Sequence, residues 1–361
     1  MTAYRFIRPL LPPPDRWIPY LEPAYAERRY SNFGPVNHRF EAAMEARFGG
    51  GRAAVTVSNA TVGLSVALTA LGVTGHVLVP SFTFAATALA VQAAGCVPVL
   101  CDCDPDTLTL SAKSAAEAAR RLDRVGAILP VRPFGMVGEL AELEALAQAH
   151  DSHLVVDAAA ALGAPDGDNR TSRLTEVFSL HATKTFPIGE GGLIFAVPDR
   201  KSALCSAQNF GFNGQDTVRA GTNGKMSEFQ AAIGLAVLED FDQVIRCRQT
   251  VAGRYEAALA GSPRVERVWR TPSSPWSTYP VLLREGLDAD QVIDEAARRG
   301  VELRRYYRPL HGMPHFRDSP RAASLSVTER IAPRMVCLPV YSDMTAAEQD
   351  DILDRLAGLV G

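Results

Sequence analysis

The sequence of 361 residues predicts an α/β protein whose mostly parallel sheet is covered by helices on both faces. Three observations predict it. Short β-rich runs alternate with helix-like runs as far as about Asp240. No Asp, Glu, Lys or Arg occurs between Ala53 and Cys101, which marks the buried heart of such a fold. Beyond Asp240 the pattern becomes that of a smaller α+β unit. The expected division is therefore residues 1–240 and residues 241–361.

The elements follow in order. Ser58-Asn59-Ala60-Thr61-Val62-Gly63 opens a helix that runs through Leu71. His76–Pro80 reads as a strand, Thr83 to Ala94 as an Ala-rich helix, and Cys96–Cys101 as the next strand. Gly126–Val131 is a buried strand. The helix Gly138–His150 follows, its apolar stripe made by Leu140, Leu143, Leu146 and Ala147. His153–Asp157 is a strand that ends in an acid, and Glu176–Leu180 and Gly192–Val197 complete the set. In the second unit the expected elements are a long helix Val244–Leu259, a strand Trp276–Leu283, a helix Ala289–Arg299 and a further segment Leu338–Tyr341. A last helix runs from about Thr345 to Val360.

Composition narrows the function. With 47% hydrophobic and 21% charged residues, the chain has the balance of a globular protein with a large core. A net charge of -3 gives no general attraction for nucleic acid or an anionic membrane. Ser58, Asn59, Thr61, Gly72, Gly75 and Pro80 interrupt the uncharged stretch, so it does not read as a membrane span. The segment Met1 to Asp15 holds Arg5, Arg8 and a run of prolines, without a continuous apolar signal core. Six cysteines show neither metal-ligand nor disulfide-framework spacing, as expected of reduced thiols in the cytoplasm. His311 and His315 are four apart, but Gly312 and Pro314 argue against a shared helical face, so no metal site is expected.

In open α/β sheets, ligands bind beyond the carboxyl ends of the strands. Three features fall there. Asp157 ends a buried apolar strand, where a carboxylate needs a partner; a helix cap or a structural ion pair would also explain it. Lys184 is one of only four lysines and lies in a largely uncharged stretch just past a strand. Desolvation there lowers an amine's pKa and makes it a nucleophile, the alternative being a surface loop lysine. The Ser58–Gly63 segment presents helix N-terminal N–H groups that suit a phosphate, or else is a plain cap. An amine, a buried carboxylate and phosphate donors are together what pyridoxal 5'-phosphate (PLP) requires.

The order and spacing of these residues resemble the DegT/StrS-type sugar aminotransferases, fold type I PLP-dependent enzymes. The resemblance runs from about Asn32 onward. It rests on Asn32-Phe33-Gly34-Pro35, Pro80 through Thr87, Asp157-Ala158-Ala159, Phe178 through Lys184 and Gly189-Glu190-Gly191-Gly192. Gly221 through Glu228 and Leu338-Pro339-Val340-Tyr341 complete it. It implies that Lys184 is the Schiff-base lysine and proton shuttle, and that Asp157 partners the pyridine nitrogen. By the same resemblance Ser179, Asn59 and Ala60 hold the phosphate, and Phe84 stacks on the cofactor ring unless it is ordinary core. Asn223 would be a phosphate contact donated across a homodimer with composite sites. The implied reaction moves an amino group from glutamate or glutamine to a keto sugar, nucleotide-linked, or to a keto cyclitol. The rival expectations are a PLP lyase or dehydratase on the same scaffold and a non-catalytic regulatory protein that kept the fold. Three positions depart from the family pattern. Ala160 stands where Gln or His is usual, Asn59-Ala60 replaces Gly-Thr, and Lys225 replaces an arginine.

Overall fold

The computed structural model describes residues 3–138, 140–164, 174–271 and 274–361. Three helices precede the sheet: α1 (Pro14–Trp17), α2 (Glu22–Ala26) and α3 (Pro35–Met44). The strands are β1 (Ala53–Val57), β2 (His76–Pro80), β3 (Val97–Cys101), β4 (Val125–Ile128), β5 (His153–Asp157), β6 (Thr175–Ser179) and β7 (Gly192–Ala196). Between and after them lie α4 (Ala60–Ala70), α5 (Ala85–Ala93), α6 (Ala112–Ala119), α7 (Ala141–Ala149) and α8 (Lys201–Ala207). The seven strands form one sheet in the order β1-β7-β6-β5-β4-β2-β3. β7 pairs antiparallel with both β6 and β1, while β2 to β6 pair parallel, so six strands run one way and one runs back.

Alternation along the strands feeds two cores. Val155, Val177 and Ile194 point to the face covered by α4, α5 and α8. Val156, Phe178, Leu193 and Phe195 point to the opposite face, where Phe40, Ala231, Leu235 and Phe241 pack. With both faces covered, the strands need no polar side, and this is why the stretch from Ala53 to Cys101 carries no Asp, Glu, Lys or Arg.

A small hairpin, β8 (Phe212–Asn213) and β9 (Asp216–Thr217), leads to α9 (Glu228–Leu259). The helix begins well before the expected Val244. Ser227 and Gln230 form a reciprocal capping box that satisfies its first N–H groups. Its first half packs on the large sheet through Ala231, Ala232, Leu235 and Phe241, and its second half packs on the small one through Val251, Tyr255 and Leu259. The apolar face therefore changes partner partway along, which blurs a single-stripe pattern. The small sheet has the order β10 (Val265–Val268), β11 (Tyr279–Leu283), β12 (Met335–Leu338) and is antiparallel throughout. β12 ends at Leu338, where the segment Leu338–Tyr341 begins, because Pro339 has no N–H to extend the ladder. Helices α10 (Ala289–Arg298), α11 (Ser326–Ile331) and α12 (Ala346–Leu356) complete the chain.

One contact joins two of the sequence motifs. The Glu228 carboxylate is fully buried and accepts hydrogen bonds from the Val36 (2.7 Å) and Asn37 (3.2 Å) N–H groups, capping α3 from a distance. A Cβ on Gly34 would lie 2.6 Å from the Glu228 carboxyl carbon, so only glycine lets that carboxylate reach the helix end.

Candidate active site

The carboxyl ends of β5 and β6, the start of α4, the start of α5 and the β6–β7 loop converge on one cavity of about 820 Å³. Asp157 is the last residue of β5 and is 5% exposed. Its Oδ2 accepts a hydrogen bond from the Thr87 hydroxyl at 2.7 Å, and its Oδ1 accepts one from the Ala159 N–H at 3.1 Å. The Thr83 hydroxyl lies 3.0 Å behind that of Thr87. Burial pushes the Asp157 carboxyl up from its ordinary range, and Thr87, the Ala159 N–H and Lys184 pull it back.

Lys184 lies in the loop between β6 and β7, in a turn where its N–H donates to the His181 carbonyl at 2.8 Å. Its side chain opens to the cavity and is otherwise enclosed by protein. Desolvation lowers its ammonium pKa, and Asp157 opposes the shift. The direction favours the neutral amine, which is the nucleophile. Loss of one donor to the carboxylate gives a test: Thr87→Val is expected to move protonation of Asp157 to higher pH. A carboxylate that has lost a donor is less stable at the same burial. The acid limb of the pH–activity profile and the carboxyl band in infrared difference spectra should both shift upward, and an unmoved carboxyl band would count against the Thr87 contact.

One end of the cavity is built on the start of α4. Asn59 is its N-cap, with extended backbone, and its Oδ1 accepts from the Val62 N–H at 2.9 Å. Ala60 and Thr61 follow as the first helical residues, so their N–H groups have no acceptor within the helix and stand at the positive end of its dipole. Ser179 ends β6 on the same cavity. Gly192 makes the approach of these elements possible: a Cβ there would lie 2.7 Å from the Asn59 carbonyl carbon and 2.8 Å from the Ala60 nitrogen. A donor-lined helix end, an enclosed amine and a buried carboxylate on one cavity fit a phosphorylated pyridine aldehyde such as PLP.

The other expected residues fall in two places. Phe84 is not core; it is 62% exposed, precedes α5 and lines the cavity. Ala160 is buried at the cavity wall. Asn223 does not reach this cavity. It is exposed beside β8, bridged to Asn209, with its Oδ1 accepting from Lys225 Nζ at 2.7 Å. His311 and His315 hold separate partners, Ser81 at 2.7 Å and Gln92 at 2.9 Å.

Sequence reasoning missed a whole wall. Phe6, Ile7, Thr278, Arg304, Tyr306 and Tyr307 line the same cavity and come from segments far apart in the chain. No periodicity or motif announces them. Thr87 was within reach, since it closes the Pro80–Thr87 motif.

Comparison with known proteins agrees with this geometry. The sequence profile of the DegT/DnrJ/EryC1/StrS aminotransferase family matches residues 16–357. The dTDP-4-amino-4,6-dideoxy-D-glucose transaminase of Shigella dysenteriae is 30% identical over 366 residues, covering 98% of this chain and 97% of the relative. The GDP-perosamine synthase of Caulobacter vibrioides is 33% identical over 344 residues, covering 90% of each. Among solved structures, DesI in the presence of its TDP-sugar product superposes with a TM-score of 0.90 at 32% identity, covering 100% of this chain and 94% of that one.

Proposed function

The chain belongs to the DegT/DnrJ/EryC1/StrS aminotransferase family, and from that premise we propose that it transfers an amino group from glutamate or glutamine to a keto sugar carried on a nucleotide. A related keto cyclitol is the other acceptor within this reading, and natural-product or surface-glycan biosynthesis is its setting. The protein is a PLP-dependent aminotransferase of fold type I. The observation that carries the reading is the pairing of an enclosed amine, Lys184, with a buried carboxylate, Asp157, in one cavity. The acceptor class rests on the relatives, whose names specify nucleotide-linked amino sugars.

When bound, the cofactor supplies an electron sink beside the nitrogen being transferred. In our reading Lys184 holds it covalently and afterwards carries a proton on Nζ to and from the substrate carbon. Asp157 keeps the pyridine nitrogen protonated, which its Thr87 and Ala159 donors allow by holding it ionised against burial. Asn59, Ala60 and Ser179 hold the phosphate, and Phe84 covers the ring. Asn223 completes the phosphate site of a partner subunit in a homodimer, which accounts for its position away from its own cavity. We further place the functional division at residues 1–240 and 241–361, with α9 running through the boundary, and the site of action in the cytoplasm. No helix among the described residues is long and apolar enough to cross a membrane, and all six cysteines are free.

The test has two stages. Glutamate or glutamine alone should convert the spectrum of the PLP-loaded enzyme to that of the aminated cofactor. A panel of nucleotide-linked keto sugars and keto cyclitols should then reverse it with formation of an amine. Failure of every amino donor to convert the spectrum would overturn the transaminase reading in favour of a lyase. For the composite site, inactive Lys184→Ala and Asn223→Ala subunits should regain part of the activity when mixed. No rescue from confirmed mixed dimers would defeat the role given to Asn223.

A further inference from the structure

The segment Tyr4–Arg8 takes no part in the chemistry above, yet it is tied down along its length. The Tyr4 N–H donates to the Gly300 carbonyl and the Glu302 N–H donates to the Tyr4 carbonyl, both at 2.9 Å. The Tyr4 hydroxyl donates to Asp351 Oδ2 at 2.7 Å, and the Tyr341 hydroxyl donates to the Arg5 carbonyl. Arg8 forks between Glu348 (2.6 Å) and Asp343 (2.9 Å), with its guanidinium 4.3 Å above the Tyr341 ring.

This strap presses Phe6 into an aromatic column. Phe134 stacks on Tyr307 and Tyr307 stacks on Tyr306, each pair with centroids 5.4 Å apart, and Phe6 meets Tyr306 edge-on at 5.6 Å. Glu302 sets the register of the outer end. Its Oε2 accepts from the Phe6 N–H at 3.0 Å, while its Oε1 accepts from Arg304 Nε and Nη2 at 3.1 and 2.9 Å. The Arg304 guanidinium then lies 5.1 Å from the centre of the Phe6 ring. Phe6, Ile7 and Tyr306 face the same cavity as Lys184.

We propose that Ile7 and Tyr306, backed by the buried Phe6 that the strap presses into place, form the subsite that recognises the sugar ring of the keto substrate. The inference rests on the transaminase reading given above. Two substrates must use one lysine in turn, and they differ in kind. A glutamate or glutamine donor is short, open-chain and polar. A pyranose ring presents C–H faces that pack on aromatic and aliphatic side chains, with hydroxyls at its edge for polar neighbours such as Arg304. The cavity of about 820 Å³ lies toward the upper part of the roughly 300–1,000 Å³ range of small-molecule sites. It must hold the cofactor as well as a substrate, and the apolar strap wall is the part of it suited to the C–H face of a ring.

The test uses the PLP-loaded enzyme and whichever nucleotide-linked keto sugar of the panel the wild type turns over. Ile7→Ala, at a half-buried position, and Phe6→Leu are each expected to raise the ratio of keto-substrate KM to donor KM by about tenfold, the scale of lost apolar contact in a substrate pocket. Ile7→Val should raise it less. A merely structural strap would instead lower the melting temperature and both activities together. If the wild type turns over keto sugars but Ile7→Ala keeps the wild-type KM ratio, this inference falls alone. If the wild type aminates no member of the panel, the substrate reading falls and takes this inference with it.

Discussion

Replacing Lys184 with alanine is expected to abolish turnover, by about 10⁴-fold or more, because in the function proposed above one side chain supplies both the covalent anchor and the proton carrier. The variant should still fold, since the Lys184 side chain faces the cavity. It should also bind PLP without a covalent link. Borohydride reduction of the loaded wild type, followed by peptide mapping, should place the cofactor label on Lys184 alone. Three other lysines serve as internal controls: Lys113, Lys201 and Lys225. Lys201 pairs with Glu41 (3.2 Å) and Glu45 (2.9 Å), which keeps it charged, whereas desolvation holds Lys184 toward the neutral amine. A label on any of the three would defeat the assignment.

The largest effect on stability is expected at Glu176. Its side chain is 1% exposed and sits between two buried arginines. Arg132 Nη1 lies 2.8 Å from Oε1, and Arg52 Nη1 donates to Oε2. Arg52 is held further by the Gly49 carbonyl at 3.1 Å and by the Phe195 ring, 5.3 Å from its guanidinium. Two cations thus share one carboxylate. Glu176→Gln keeps the shape and removes the charge, leaving both arginines uncompensated, at a cost of about 3–5 kcal/mol. Urea unfolding at fixed PLP concentration would measure it, and a midpoint within error of wild type would refute the argument. Because Ser179, the phosphate ligand proposed above, lies on the same strand, the loss should also weaken cofactor binding. Replacing all three residues with apolar side chains of similar size is expected to recover much of the stability, since no buried charge then remains.

Much of this site was legible before any coordinates. The strand His153–Asp157 was placed to the residue, because a run of buried apolar residues ending in an acid has one economical explanation at a strand's carboxyl end. Lys184 stood out by rarity and by the absence of neighbouring charge. Asn59 read correctly as the start of a helix because its side chain caps locally, accepting from the N–H three residues on. The reversed direction of β7 was not anticipated, although a signal existed. Leu180 to Gly191 contains no helical pattern, and a parallel return would need a crossover of a dozen or more residues, usually helical. The start of α9 was missed because its buried stripe faces two different cores in succession.

Sequence alone therefore determined the features that are local: the alternation of strands and helices, the cap at the start of α4, and the candidate amine and carboxylate that the fold brings to one cavity. Each is encoded by a residue and its near neighbours, through backbone geometry, periodicity and desolvation. Only the tertiary structure decided that Glu228 caps α3 beneath Gly34 and that Thr87 steadies Asp157. It alone brought Phe6, Arg304 and Tyr306 together as a wall facing Lys184. Those contacts join residues tens to hundreds of positions apart, and they form because packing of the whole chain leaves each group no other partner, a condition that no local pattern carries.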